Sequence, residues 1–473
     1  MHQTYGIWIN GSWEQTSRTM DVLDKYTQQK VTTIAVAEEQ HITRMVECAQ
    51  DALRKPFGSY DRYKVLSKAA ELLVQRREQF AGVLVKEVGK PIRDSLGEVD
   101  RAAQTLLISA EEAKRIHGEG VPVEAAPGSE NRMAFSIRVP VGIIAAITPF
   151  NVPLNLVCHK VGPALAAGNA VILKPSEVTP TVSLLLAELF AEAGLPSGRL
   201  NVATGFGPEI GAWLVANPLV RMFSFTGSVR VGEWLRQHAG VRKVALELGN
   251  NSANIVHKDC NLDQAVEMIA TKAFNNAGQV CISVQRVFVH EKIKQEFLSK
   301  LIERTRRLIV GNPQEEKTDI GPMISLREAE RVESWVREAV IEGASLAIGG
   351  KREGSVYYPT ILTNVKPTMK VYSMEVFGPV VAIDTYSEEN EVIAKVNDSD
   401  YGLQAGLFTS DLGFAMKAAR ELEVGGLIIN DASAYRVDQM PYGGVKNSGT
   451  GKEGPSYAIE EMTEERLIVM NLV

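Results

Sequence analysis

Cysteine is scarce in this chain of 473 residues. The four present, Cys48, Cys158, Cys260 and Cys281, are far apart and form no C-x-x-C pair. That excludes a disulfide scaffold and any zinc-ribbon or zinc-finger pattern, so no metal is expected. Charge of one sign is also lacking. Fifty-one basic residues meet 57 acidic ones, for a formal net charge of -6, which gives no reason to expect nucleic acid as a partner. The basic cluster Arg304, Arg306 and Arg307 falls in a helical pattern and reads as a solvated face. Long hydrophobic runs are missing too. The most apolar stretch, 141–158, is broken by Thr148, Pro149, Asn151, Pro153 and Asn155, so no membrane span is expected. Residues 1–13 lack a basic segment followed by an apolar one, so no signal peptide is read. With no export signal, the expected compartment is the cytoplasm, with reduced thiols. There is no internal repeat and no low-complexity segment.

What is present is an ordinary globular composition, 45% hydrophobic and 23% charged. The length exceeds one compact core, so at least two domains are expected. Residues 5–13 read as a hairpin, with Asn10-Gly11 supplying the two positive-φ positions of a tight turn. Residues 42–55 and 61–117 are helical in pattern. From 141 onward, short apolar runs alternate with helical ones. Strands at 141–147, 169–174, 200–205, 220–227 and 243–248 are separated by helices at 156–168, 182–194, 208–217 and 228–240. Strand–helix alternation over short loops implies parallel βαβ units, and near-continuous apolar strands imply a sheet covered on both faces. This is a doubly wound α/β architecture, whose ligands sit at the carboxyl ends of the strands. Lys174, Gly205 and Gly227 each end a strand and should share one sheet edge. A second α/β stretch follows Asn250, with a helix at 263–278, a strand at 284–290, a long amphipathic helix at 292–309, and strands at 377–386, 403–409 and 425–430. Residues 119–139 and the tail 466–473 read as exposed strands that pair with another subunit, or as two ordinary edge strands.

Single residues say little. A thiol between Val280 and Ile282 is usually a core residue. Glu247 ends an apolar strand, which is odd for a core and suggestive of a site. Asn151, beside two prolines, could be a turn residue. Gly227 and Gly232, in GSVRVG, follow a strand and open a helix, a context that suits a phosphate but lacks the full G-x-G-x-x-G. The run PYGGVKNSG at 441–449 is by itself a glycine-rich loop.

Together these pieces are far more specific. INGSW, TPFNVP, LKPSE, FTGSVRVG, LELGN, GQVC, EVFGPV and PYGGVKNSG follow one another in the order found in the aldehyde dehydrogenase superfamily, which the chain resembles over essentially its whole length. Glu247 and Cys281 stand 34 positions apart, like that family's glutamate and cysteine. Two departures are Phe150, where the family usually has Trp, and Val152, where it usually has Phe. The resemblance implies an enzyme that oxidises an aldehyde to a carboxylate with NAD, NADP being possible. It implies a Rossmann-like NAD-binding domain from 1–118 and 140–247, an α/β catalytic domain from 248–440, and a small β oligomerisation element from 119–139 and 456–473. Cys281 would be the nucleophile, forming a thiohemiacetal and then a thioester. Asn151 and the Cys281 N–H would stabilise the oxyanion, and Glu247 would activate the hydrolytic water. Phe150, Lys174, Glu177, Gly207, Gly227, Ser228, Gly232, Glu375 and Phe377 would bind the cofactor. A carboxylate at Glu177 would accept bonds from the ribose hydroxyls and repel a 2′-phosphate, favouring NAD.

The substrate reads as a small polar aldehyde such as lactaldehyde. The stretch 151–171, GQVCISVQR and YRVDQMPYGG resemble the branch that handles lactaldehyde, phosphonoacetaldehyde and other small polar aldehydes. Arg436 could reach a substrate anion or hydroxyl, or be a solvent-facing loop arginine. Some anion-handling relatives carry Arg immediately before the nucleophile. Val280 stands there in this chain, which argues against a phosphate or phosphonate. Aromatic aldehydes, phosphonoacetaldehyde and glyceraldehyde 3-phosphate remain open as substrates. A non-catalytic binding protein would have no need to retain Cys281, Glu247, Asn151 and Lys174 together. A phosphorylating dehydrogenase would normally pair its cysteine with a histidine, and none of the seven histidines lies in these motifs. A homodimer or homotetramer is implied by the resemblance.

Overall fold

The computed structural model describes residues 3–472; residues 1, 2 and 473, at the ends of the first expected domain and of the tail strand, lie outside the described residues. The hairpin forms as its turn chemistry dictates. Ile7–Ile9 pairs antiparallel with Ser12–Glu14, and Asn10 and Gly11 take φ of 51° and 83°. The long helical region divides into Ser59–Gln75, Arg77–Val88 and Ile92–Ala113. Gly89 ends the middle helix in a left-handed conformation, with φ 80°.

The first large sheet has eight strands. Its parallel centre runs, across the sheet, Lys243–Glu247, Val220–Thr226, Ile143–Ile147, Ala170–Lys174 and Leu200–Val202. In chain order from Ile143–Ile147 this is 3-2-1-4-5, the arrangement of a doubly wound dinucleotide fold, with its switch point between Ile143–Ile147 and Val220–Thr226. Lys174 pairs with Ile147, and Thr226 with Glu247. The carboxyl ends therefore do share one edge. Helix Asn155–Ala166 is buried at every position, as expected of an element packed between this sheet and the N-terminal helices.

The second large sheet has seven strands in the order Ser345–Ile348, Thr360–Thr363, Val380–Tyr386, Arg286–His290, Ala253–Val256, Gln404–Phe408 and Gly426–Ile429. Only its first pair is antiparallel. Ala253–Val256 is too short and too polar at its start to stand out in the sequence. The expected helix at 263–278 stops at Phe274, because Asn276 and Ala277 take left-handed φ of 49° and 54°. A third sheet pairs Gly120–Val121 and Thr463–Asn471 with Arg132–Pro140 between them, all antiparallel. Among the described residues, no helix is long and apolar enough to cross a membrane.

Candidate active site

A cavity of about 1170 Å³ opens at the switch point and runs between the two large sheets. Its walls include Phe150, Asn151, Lys174, Glu177, Gly207, Gly227, Ser228, Cys281, Glu375 and Phe377. One end is built for a polar, anionic ligand. Helix Val229–His238 begins there, and its N-cap Ser228 makes no side-chain cap, so among the described residues the Val229 and Arg230 N–H groups stay free. Lys174 donates to Glu177 at 2.8 Å. Burial alone would raise the Glu177 carboxyl, but Lys174 outweighs it and holds it below the usual range. These groups fit a dinucleotide: free helix N–H groups for phosphate, and a paired carboxylate for sugar hydroxyls. Further along, Phe377 sits at φ 46° with its ring edge-on to Phe150, centroids 5.8 Å apart. Glu375 accepts from the Asn250 N–H at 3.0 Å, and burial pushes its carboxyl up to about 7. Gly249 is required beside it, since a Cβ there would lie 2.8 Å from the Glu375 carboxylate.

Cys281 stands at the inner end, after a tightly constrained turn. A Cβ on Gly278 would come within 2.1 Å of the Gly378 carbonyl, and φ there is 69°. Gln279 locks the turn by accepting from the Ile324 N–H at 2.9 Å. Its own carbonyl accepts from the Asn151 side-chain amide at 2.8 Å, which brings that amide to the nucleophile loop. Among the described residues the Cys281 N–H has no acceptor. One amide proton of Asn151 and the Cys281 N–H are thus available for an oxyanion. The Cys281 sulfur lies 2.9 Å from the Tyr442 hydroxyl. Burial pushes the thiol up to about 12; Tyr442 and Arg436 oppose that rise, while Glu247 and Glu375 add to it.

Glu247 lies beyond the main cavity wall, on the last residue of its strand. It is buried, and neither carboxylate oxygen has a hydrogen-bond partner. Burial first, and then the charge of Glu453, raise its carboxyl well above the usual range. The glycine-rich loop covers it. Gly449–Thr450 adds to the sheet edge, Gly449 opposite Glu247, and a Cβ on Gly443 would meet a Glu247 carboxylate oxygen at 2.9 Å. Behind it lies a buried ionic cluster. Glu453 accepts from Lys160 at 3.1 Å and from Arg436 at 2.9 Å. Asp438 accepts from Arg101 at 2.7 Å and Asn155 at 2.9 Å, and lies 3.0 Å from His159. Burial opposes ionisation of Asp438, but its partners outweigh it and hold the carboxyl well down.

Most residues named from the sequence thus surround one cavity. Two do not line it. Gly232 is a packing glycine, since a Cβ there would strike Leu248 at 2.5 Å. Arg436 is no solvent-facing arginine: its side chain is 8% exposed, and its guanidinium stacks 3.7 Å from the Tyr442 ring centroid. The sequence reading missed Tyr442, Glu453, Lys160 and His159. A signal existed for the last two, because a His-Lys pair in a helix that is apolar from Leu156 onward apart from them has to find buried partners.

Fold, cavity and side chains together define a dinucleotide-binding protein with a cysteine at the far end of its cofactor cleft. The chain belongs to the aldehyde dehydrogenase family, whose model matches residues 13–468. It is 68% identical over 468 residues to a 3-sulfolactaldehyde dehydrogenase of Priestia megaterium, covering 99% of this chain and 98% of that one. It is 41% identical to a lactaldehyde dehydrogenase of Methanococcus maripaludis, covering 98% and 100%. Among solved structures, glyceraldehyde-3-phosphate dehydrogenase of Methanocaldococcus jannaschii, complexed with NADP, superposes with a TM-score of 0.92 at 40% identity, covering 96% and 100%. The protein is an NAD(P)-dependent aldehyde dehydrogenase.

Proposed function

We propose that this enzyme oxidises a three-carbon 2-hydroxyaldehyde bearing an anion on C3, with 3-sulfolactaldehyde as the best-supported substrate and 3-sulfolactate as the product. The observation that carries this is Arg436, a buried cation held against Tyr442 beside the nucleophile. Around it the charges do not cancel. Lys160 and Arg436 both donate to Glu453, while burial and the charge of Glu453 oppose ionisation of Glu247. A net positive, desolvated pocket favours an anionic substrate and disfavours an uncharged one. The 68% identity to a 3-sulfolactaldehyde dehydrogenase supports a sulfonate specifically. Val280 puts no cation immediately before the nucleophile, so Arg436 is the residue left to meet a sulfonate.

Cys281 attacks the aldehyde carbon, and Asn151 and the Cys281 N–H hold the oxyanion. NAD(P), when bound, accepts the hydride lost from that carbon. The acyl group is then a thioester on Cys281. Glu247 takes a proton from water, which attacks the acyl carbon, and the carboxylate leaves with the thiol restored. The Glu177 carboxylate in the adenosine end favours NAD over NADP. Four unpaired cysteines support a reducing, cytoplasmic location. The N-terminal sequence and first large sheet form the cofactor domain, the second sheet the catalytic domain, and the three-stranded sheet a pairing arm. In that arm Thr463–Asn471 is a free edge of nine residues, with Leu467 and Val469 about half exposed, a surface suited to strand pairing in a dimer or tetramer.

The test is NAD(P)H formation with 3-sulfolactaldehyde, lactaldehyde, glyceraldehyde 3-phosphate, phosphonoacetaldehyde and benzaldehyde, on wild type and Arg436→Met. The expected outcome is highest kcat/KM for 3-sulfolactaldehyde. Arg436→Met should lower kcat/KM for both 3-sulfolactaldehyde and lactaldehyde, since it also removes a cation that favours the Cys281 thiolate. The loss should be about 10²-fold greater for 3-sulfolactaldehyde, since a buried charge pair is worth roughly 2–5 kcal/mol. Equal losses for both substrates would refute the anion-binding role. Preference for an aromatic aldehyde would refute the substrate class.

A further inference from the structure

The hydroxyl of Tyr442 lies 2.9 Å from the Cys281 sulfur, and among the described residues it makes no other hydrogen bond. Tyr442 is buried. A buried phenol normally finds a strong oxygen or nitrogen partner; here it is aimed at a sulfur, a weak acceptor when protonated. The pairing makes physical sense for the ionised form. A thiol can donate to the phenol or accept from it, but a thiolate has no proton, so the hydroxyl has to donate. That bond is charge-assisted and stronger than the neutral one.

We propose that Tyr442 is a further catalytic residue of this enzyme: its hydroxyl donates to the Cys281 sulfur, stabilises the thiolate and aims it before the aldehyde arrives. The inference rests on Cys281 being the nucleophile. The surrounding geometry supports it. The Arg436 guanidinium lies over the Tyr442 ring, where a cation makes the phenolic O–H a better donor. Arg436 is fixed by Glu453, and Glu453 in turn by Lys160. The Tyr442 and Glu453 backbones exchange hydrogen bonds at 3.1 and 2.6 Å, so the ring is held from both ends. The titratable groups that face the sulfur are Tyr442, Arg436, Glu247 and Glu375, and those that face the phenol are Cys281, Arg436 and Glu247. Tyr442 and Arg436 favour the thiolate; both carboxyl groups oppose it once ionised.

A lower thiol pKa raises the thiolate fraction about tenfold per unit but lowers intrinsic nucleophilicity by only about threefold. For a thiol held near 12 by burial, the population term wins, so a donor on the sulfur speeds attack. The test is Tyr442→Phe, which keeps the ring and its stacking and removes only the oxygen. Iodoacetamide alkylation is followed on the free enzyme from pH 7 to 10, with the Cys281 peptide quantified by mass spectrometry. The new S–C bond releases iodide, and the thiol proton passes to buffer. Losing a hydrogen bond to a charged group should raise the thiol by about one to two units. Alkylation of Cys281 should then slow by about 3–10-fold across that range. The NADH burst rate should fall, with KM for the aldehyde and the melting midpoint unchanged. An alkylation rate equal to or faster than wild type, with the fold intact, would overturn the role of Tyr442. Undiminished aldehyde oxidation by Cys281→Ala would instead overturn the nucleophile assignment beneath it.

Discussion

Replacing Glu247 by Gln is the perturbation whose consequences can be worked furthest. The carboxyl is buried without a hydrogen-bond partner, and burial together with Glu453 raises it well above 4.5. In the unfolded chain it titrates near its ordinary value. Between those two values the folded state holds a proton that the unfolded state has lost. A raised carboxyl therefore destabilises increasingly as pH climbs above the unfolded value, until the folded value is reached. The slope is about 1.36 kcal/mol per pH unit. From pH 5 to 7 the wild type should lose up to about 2.7 kcal/mol relative to Glu247→Gln, which cannot titrate. Comparing urea unfolding of the two proteins at both pH values isolates this one group from every other carboxylate. The same substitution separates the chemical steps. Acyl transfer to Cys281 needs no base at Glu247, but thioester hydrolysis does. Glu247→Gln should give a burst of about one NADH per active site, followed by turnover slowed by about 10²–10⁴-fold. Wild-type turnover should rise with pH as the carboxyl loses its proton. Full steady-state turnover by Glu247→Gln would refute the general-base role. A pH-independent stability difference would refute the raised carboxyl.

Glu177→Gln should shift the kcat/KM ratio toward NADP by about tenfold, since removing the carboxylate proposed to face the ribose would remove repulsion of a 2′-phosphate. An unchanged ratio would mean that other residues set the preference. Leu467→Lys combined with Val469→Lys places charge on the exposed edge strand of the arm, and light scattering should then report a smaller assembly than wild type. An identical mass for both proteins would show that association uses another surface.

Much of the fold was legible because each element carries its own signal. Asn10-Gly11 declares its turn, and the apolar runs ending at Lys174, Thr226 and Glu247 declare strands whose carboxyl ends must coincide once the connections are parallel. Other elements carried none. Ala253–Val256 opens amid the polar run Gly249 to Ser252 and is a strand only because Arg286–His290 and Gln404–Phe408 flank it. The helix expected through Gly278 breaks at Asn276 and Ala277 because Gly278 has to seat against Gly378, a contact about a hundred residues distant in sequence. That break presents Cys281 to the cavity.

The site divides the same way. Phe150, Lys174, Glu177, Gly227 and Ser228, proposed to act on the cofactor, lie at or just after the carboxyl ends of their strands, so sequence order alone groups them. Those acting on the substrate and sulfur do not. Arg436, Tyr442 and Glu453 reach Cys281 and Lys160 only because the glycine-rich loop folds back over the edge of the first sheet, where Gly449 pairs with Glu247. A loop with so many glycines reads as flexible, yet here the glycines are demanded by close approach. Gly443 abuts the carboxylate of Glu247, and Gly449 would place a Cβ 2.0 Å from the Leu246 carbonyl. The loop therefore acts as a clamp that buries Glu247, and that burial is the largest cause of its raised carboxyl. A raised carboxyl must lose its proton before it can serve as the proposed base, which ties that step to the ionic cluster of Lys160, Glu453 and Arg436 packed behind it.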